Sequence, residues 1–176
     1  IVAIIENEGG EAVVPDLIGF MNYSLFNQIW KADELNMSQK SKRLAKLGID
    51  AINLLEKPIN KALEKSERFE GIESIYDIAK GAEKVVSIGN HTGEGWFLTG
   101  EMIELLNNGV KNIVCLQPFG CLPNHIVGKG MLKELRRQFK GANISPIDYD
   151  PGSSEVNQLN RIRLMMTTAK KMQKAN

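Results

Sequence analysis

Cys121 is the residue whose surroundings say most about chemistry. It lies between Gly120 and Leu122-Pro123 in a loop that Pro118 and Pro123 stiffen, just ahead of a helical pattern. A thiolate there gains from the helix dipole and from nearby N–H donors, which suits a nucleophile or a metal thiolate; the plainer alternative is a partly buried, inert thiol. Cys115 sits inside an apolar, β-branched run and reads as core packing. The chain has two histidines, His91 and His125, and one available cysteine, too few to close a zinc site. A 4Fe–4S cluster needs about four ligands, so it would have to draw on residues beyond these. Cys121 with His91 or His125 and Asp148 or Asp150 has the residue types of a nucleophile, base and orienter, although nothing in the spacing requires that hydrolase arrangement.

A second candidate is the loop Gly89-Asn90-His91-Thr92-Gly93-Glu94-Gly95. Glycines before a helix expose backbone N–H groups to an anion such as a phosphate or a thioester tail, which makes Gly93, Gly95 and, in the next loop, Gly120 candidate cofactor-binding positions. The spacing is neither Gly-x-Gly-x-x-Gly nor Gly-x4-Gly-Lys-Ser/Thr, so no nucleotide fingerprint is present and a plain tight turn is the competing explanation. His91 and Glu94 on this loop are the candidate catalytic pair, His91 as a hydrogen-bond donor and Glu94 as an acid–base group. Glu94 and Asp150 read equally as residues favoured at helix N-termini, and Asp150-Pro151-Gly152-Ser153 is ordinary turn chemistry.

The elements that must position these residues follow from the apolar pattern. Lys84–Gly89, Asn112–Gln117 and Ile144–Tyr149 read as strands, each followed by a loop and a helix: about 96–108, 126–139 and 155–174. Three such units predict parallel strands with right-handed crossovers, an α/β, Rossmann-like open parallel sheet with helices on both faces. Ligands bind such sheets beyond the carboxyl ends of the strands, so His91, Glu94, Cys121 and Asp150 are expected in one crevice. Upstream, the pattern predicts a helix from Ile1, a turn at Gly9-Gly10, a short strand Glu11–Val14, a helix over 17–30 capped by Asp16, and helices over 31–84 with breaks or kinks at Gly48 and Pro58.

Composition bounds the function classes. The 176 residues are expected to form a single α/β domain over 1–176, helical over 31–84 and built of three β-α units over 85–176. Hydrophobic residues are 43% and charged residues 24%, in the range of soluble globular proteins. With 22 Lys+Arg against 21 Asp+Glu the charges nearly cancel, and a net +1 argues against nucleic acid or an anionic membrane as a partner. The longest apolar run, Ile1–Ile5, is far short of the roughly 20 residues a bilayer span takes. Two cysteines form no disulfide framework, which fits a reducing, cytoplasmic setting. The sequence opens as if in mid-helix, without a signal-peptide layout, and is expected to be a piece of a larger protein.

Four stretches carry a resemblance. Gln117-Pro118-Phe119-Gly120-Cys121-Leu122-Pro123-Asn124-His125-Ile126-Val127-Gly128-Lys129-Gly130 resembles the C-terminal region of the large 2-hydroxyacyl-CoA dehydratase activator-like proteins. So do the segment Ile147–Ile162, the segment Glu8–Asp16 and Gly89–Trp96. These multidomain proteins join an activator-type ATPase region to a segment similar to iron–sulfur dehydratase subunits, and the resemblance places this chain in the second segment, without an ATP site of its own. It implies that Cys121 matches a ligand position of a 4Fe–4S cluster at a domain junction, the other ligands coming from upstream domains of the same polypeptide. The implied activity is electron transfer or radical dehydration of CoA thioesters, with acyl-CoA as substrate. A binding or scaffold domain that only completes an interdomain surface is the alternative.

Overall fold

A computed structural model describes residues 1–66, 68–69 and 71–175. Over the described residues the chain is a mixed, largely helical protein with a small two-stranded parallel sheet. It divides into two compact units, residues 15–80 and residues 1–14 with 81–176.

In the unit 15–80, Asp16 starts α2 (Leu17–Glu34) by accepting a hydrogen bond from the Gly19 N–H at 2.6 Å. This satisfies one of the amide donors that the first helical turn leaves without an intrahelical partner. Ser38 caps α3 (Gln39–Leu63) in the same way. α3 runs through both expected breaks. Gly48 packs against α2, and a Cβ there would sit 3.0 Å from Leu25 Cδ1. Pro58 stands on an exposed side of the helix and leaves it continuous. α2 and α3 pack along their lengths, with Tyr23, Ala45 and Ile49 almost wholly buried. Glu56 is buried too, and desolvation, with Asp16 adding repulsion, raises its carboxyl above the usual range. After α3, the Asn60 side chain accepts from the Ile72 N–H at 2.7 Å, and α4 (Ile75–Ala82) closes the unit.

The other unit holds the sheet. β1 (Asn112–Pro118) and β2 (Asn143–Tyr149) pair in parallel, from Asn112 beside Asn143 to Pro118 beside Tyr149. α5 (Trp96–Asn107) precedes β1. The connection from β1 to β2 runs through a π-helical turn (Asn124–Gly128), a 3-10 turn (Lys129–Met131) and α6 (Leu132–Gln138). The last helix is α7 (Glu155–Ala175). Side chains alternate along the strands, as extended backbone requires. Ile113, Cys115 and Ile144 join a core with Met102, Ile103 and Leu106 of α5 and Leu132 and Leu135 of α6. Val114, Ile147 and Tyr149 join another with Ile162, Met165 and Met166 of α7 and the isoleucines of α1 (Val2–Asn7).

Two expected strands are absent. Val85–Gly89 forms turns, although Val86 and Ile88 are buried. The N–H groups of Lys84, Val85 and Val86 bond back to the carbonyls of Gly81 and Ala82, which removes the donors a third sheet strand would need. Glu11–Val14 is not part of the sheet, and Val13 and Val14 are exposed. The helix expected over 126–139 is regular only from Leu132. Gly128 and Gly130 weaken the preceding stretch, and the Val127 carbonyl there accepts from the buried Thr99 hydroxyl at 2.5 Å. Among the described residues, no helix is long and apolar enough to cross a membrane.

Candidate functional site

The segment from Pro118 to Gly128 is anchored at both ends where β1 runs out. The Phe119 N–H donates to the Tyr149 carbonyl at 3.0 Å, which extends the parallel pairing by one bond. Gly120 then turns the chain with a left-handed φ of 68°, and nothing lies within 4 Å of where its Cβ would be. The Cys121 N–H returns to the Pro118 carbonyl at 3.1 Å, and the Cys121 carbonyl accepts from the His125 N–H at 3.2 Å, opening the π-helical turn. Such turns replace the helical i to i−4 pairing with a wider ring and are frequent at functional sites.

Cys121 is half-buried. Its sulfhydryl donates to Asn124 Oδ1 at 2.8 Å, and Asn124 Nδ2 donates to the Leu116 carbonyl at 2.9 Å. One amide side chain thus orients the thiol and ties it to the strand. Phe119, Leu122 and Ile126 surround it in sequence and are exposed by 71%, 68% and 54%. This single thiol therefore sits in an open apolar surface rather than in the core.

Beneath the segment lies a buried polar residue that the sequence reading passed over. Gln117 is 1% exposed, donates from Nε2 to Cys115 Sγ at 3.1 Å, and has no partner for Oε1 among the described residues. Gly128 is close by, where an added Cβ would lie 3.5 Å from Cys115 Sγ and 3.6 Å from Gln117 Nε2. The signal for Gln117 was available: a polar residue at the end of an otherwise apolar strand. Asn124 and Thr99 carried no comparable signal, because their roles come from tertiary contacts.

Cys115 is the structural thiol. Burial pushes it up to about 11, against the smaller lowering effects of the Gln117 hydrogen bond and the Lys129 charge. At pH 8 such a group is ionised to roughly one part in a thousand. Iodoacetamide at that pH is expected to modify Cys121 in the native protein and to reach Cys115 only in denaturant. Mass spectrometry of the alkylated peptides reads this directly. Comparable native labelling of both thiols would contradict the assignment.

The loop 89–95 meets this segment at one point. Gly93 has a left-handed φ of 62°, and a Cβ on it would lie 2.7 Å from Pro123 Cγ. Gly95 also has positive φ, at 49°, and stands at the start of α5. The Trp96 N–H donates to the Asn90 carbonyl at 2.7 Å and closes the loop. Turn geometry therefore accounts for Gly93, Gly95 and Gly120 without a bound anion. His91 and Glu94 are half-buried on the same loop. Because Val85–Gly89 is not a strand, the topological reason for placing them at the carboxyl edge of the sheet lapses; the contact between Gly93 and Pro123 is what links their loop to that of Cys121.

The remaining candidates are engaged elsewhere. Asp148 pairs with Lys129, at 3.1 and 3.4 Å to its two oxygens. Asp150 caps its own turn by accepting the Gly152 N–H at 2.8 Å. His125 is exposed, and the Cys121 sulfhydryl donates to Asn124, so the Cys-His-Asp arrangement is not assembled by these bonds. Beyond β2, Asp148, Ser153, Asn157, Gln158 and Arg161 line an open cleft of about 460 Å³, and none of His91, Glu94, Cys121 or Asp150 does.

Among the described residues, no group of three or more His, Cys, Asp or Glu is placed to hold a metal ion. The residues present do not fit a complete 4Fe–4S cluster; Cys121 fits a single ligand position. The chain matches no protein-family profile, no curated protein and no solved structure.

Proposed function

We propose that this chain is a domain of a cytoplasmic protein of the 2-hydroxyacyl-CoA dehydratase and activator-like class, in which the segment 118–128 presents Cys121 as one thiolate of an iron–sulfur site shared with upstream domains of the same polypeptide. The observation that carries the reading is the contrast between the thiols. Both are half-buried, but Cys115 packs against the core of α5 and α6, is held by Gln117 and has its thiol pushed up by burial, whereas Cys121 is oriented by Asn124 at the edge of an exposed apolar loop. A domain-junction ligand needs that combination of fixed direction and open surface.

In this reading, electron transfer or dehydration of an acyl-CoA belongs to the assembled protein, and the chain's own share is positioning. Asn124 fixes the sulfur. Gly93 lets the loop of His91 and Glu94 approach Pro123, which offers an acid–base pair beside the junction. Parallel β1 and β2, with α6 between them and α7 after them, we read as part of a Rossmann-like open sheet with helices on both faces in the complete protein.

A second reading rests on Phe119, Leu122 and Ile126: exposed apolar residues of this size also suit a non-catalytic surface that completes an interdomain contact. Anaerobic reconstitution of the full-length protein with iron and sulfide separates the two. The expected result is iron–sulfur absorption in the visible that Cys121→Ser abolishes and Cys115→Ser preserves. Full-length protein that takes up no cluster, or takes it up equally with Cys121→Ser, leaves only the surface reading.

A further inference from the structure

α3 buries one side and leaves another, equally apolar, uncovered. Ala45 and Ile49 are 3% and 0% exposed, while Leu44, Leu47, Leu54, Leu55 and Ile59 are exposed by 48–73%. With Ala51 and Pro58, the residues 44, 47, 51, 54 and 58 follow the alternating three- and four-residue step of a helix-packing seam. Large apolar residues in a continuous exposed row mark an interaction surface more often than scattered ones do.

The charges beside the row are one-sided. Lys40, Arg43, Lys46, Lys57 and Lys61 are exposed on α3, against the single exposed carboxylate of Asp50. The other acid of the helix, Glu56, is buried. Arg43, Asp50 and Lys57 recur every seven residues and so line one edge of the leucine row.

We propose that this face docks an amphipathic helix of a protein partner, with a leucine-type apolar seam flanked by Asp or Glu. The apolar row supplies the contact and the basic edge supplies choice of partner. A second copy of α3 would bring cations against cations, which opposes self-pairing. A membrane surface is the poorer match, because the row contains no Trp, Tyr or Phe of the kind that seats interfacial helices.

The test uses the whole chain and two synthetic peptides with leucine at heptad positions a and d, one with glutamate at e and g and the other with lysine. Fluorescence anisotropy is expected to show saturable binding of the glutamate peptide, at least about ten-fold tighter than the lysine peptide. Leu47→Asp and Leu54→Asp, both at exposed positions, are expected to weaken it by about ten-fold or more, with far-UV circular dichroism and thermal unfolding unchanged. The double variant Lys57→Glu/Lys61→Glu is expected to reverse the preference between peptides. Failure of the glutamate peptide to bind, or equal binding of both peptides, overturns the proposal. So does concentration-dependent self-association that Leu47→Asp abolishes, which identifies a second copy as the occupant. Binding to phosphatidylserine vesicles that Leu47→Asp abolishes overturns it in favour of a lipid surface.

Discussion

Replacing Trp96 with alanine is expected to cost roughly 3–5 kcal/mol, the largest effect of any single side chain in its unit. Trp96 is 0% exposed and meets Phe97 edge-on with ring centroids 6.1 Å apart. It is also the first residue of α5, and its N–H closes the loop 89–95 on the Asn90 carbonyl. Removing the indole leaves a cavity at the point where core and loop join, so stability and loop geometry should fail together. Since a domain of this size has about 5–15 kcal/mol in total, the loss is a large fraction of what holds it folded. Urea unfolding followed by circular dichroism measures it, with Trp96→Phe as the conservative comparison. A loss under about 1 kcal/mol for Trp96→Ala would mean the site collapses freely or the ring is not packed as described.

Gly93→Ala is expected to have the second largest effect, and one that reaches Cys121. Its φ of 62° carries a left-handed penalty of about 1–2 kcal/mol for a residue with a Cβ. The new methyl must also displace the Pro123 ring, which cannot rotate away as a flexible side chain would. Gly120→Ala supplies the control. Its φ of 68° imposes the same conformational penalty, but its surroundings are open. The difference in stability between the two variants therefore isolates the contact between loops. The rate of Cys121 alkylation should change with Gly93→Ala, because Pro123 lies two residues from the thiol and one from Asn124, its hydrogen-bond partner. If Gly93→Ala costs no more than Gly120→Ala, the two loops are not in the contact described.

What the sequence revealed depended on whether a signal was local. The Asp16 cap, the starts of α5 and α7, and the β-branched runs of β1 and β2 were all legible, because capping chemistry and apolar pattern act within a few residues. Val85–Gly89 has the same β-branched, apolar character and is equally well buried, yet makes turns. Burial of apolar side chains does not specify which backbone partner satisfies the amides, and here the end of α4 does so. Pro58 misled in the opposite direction, because the single bond it removes does not outweigh the packing that holds a long helix. At the site, the contrast between a core Cys115 and an outlying Cys121 could be read from neighbouring residues. The Asn124 bond to the sulfur and the Gln117 bond to Cys115 could not, since both depend on where β1 ends and the π-helical turn begins.

The docking of α1 on α7 fixes an order of events during synthesis. Ile1, Ile4 and Ile5 pack against Ile162, Met165 and Met166, and Arg163 Nε donates to Glu8 Oε1 at 2.9 Å across 155 residues of sequence. A six-residue segment is too short to hold helical form alone, so α1 takes shape only when its partner arrives. At about 5–20 residues per second, the ribosome needs roughly 8–30 s to translate that intervening stretch. Throughout that interval Ile1, Ile4 and Ile5 lack the α7 surface they pack against in the folded unit, in a nascent chain within reach of chaperones that bind apolar segments. Of these two helices, the one made earlier is placed only when the later one arrives.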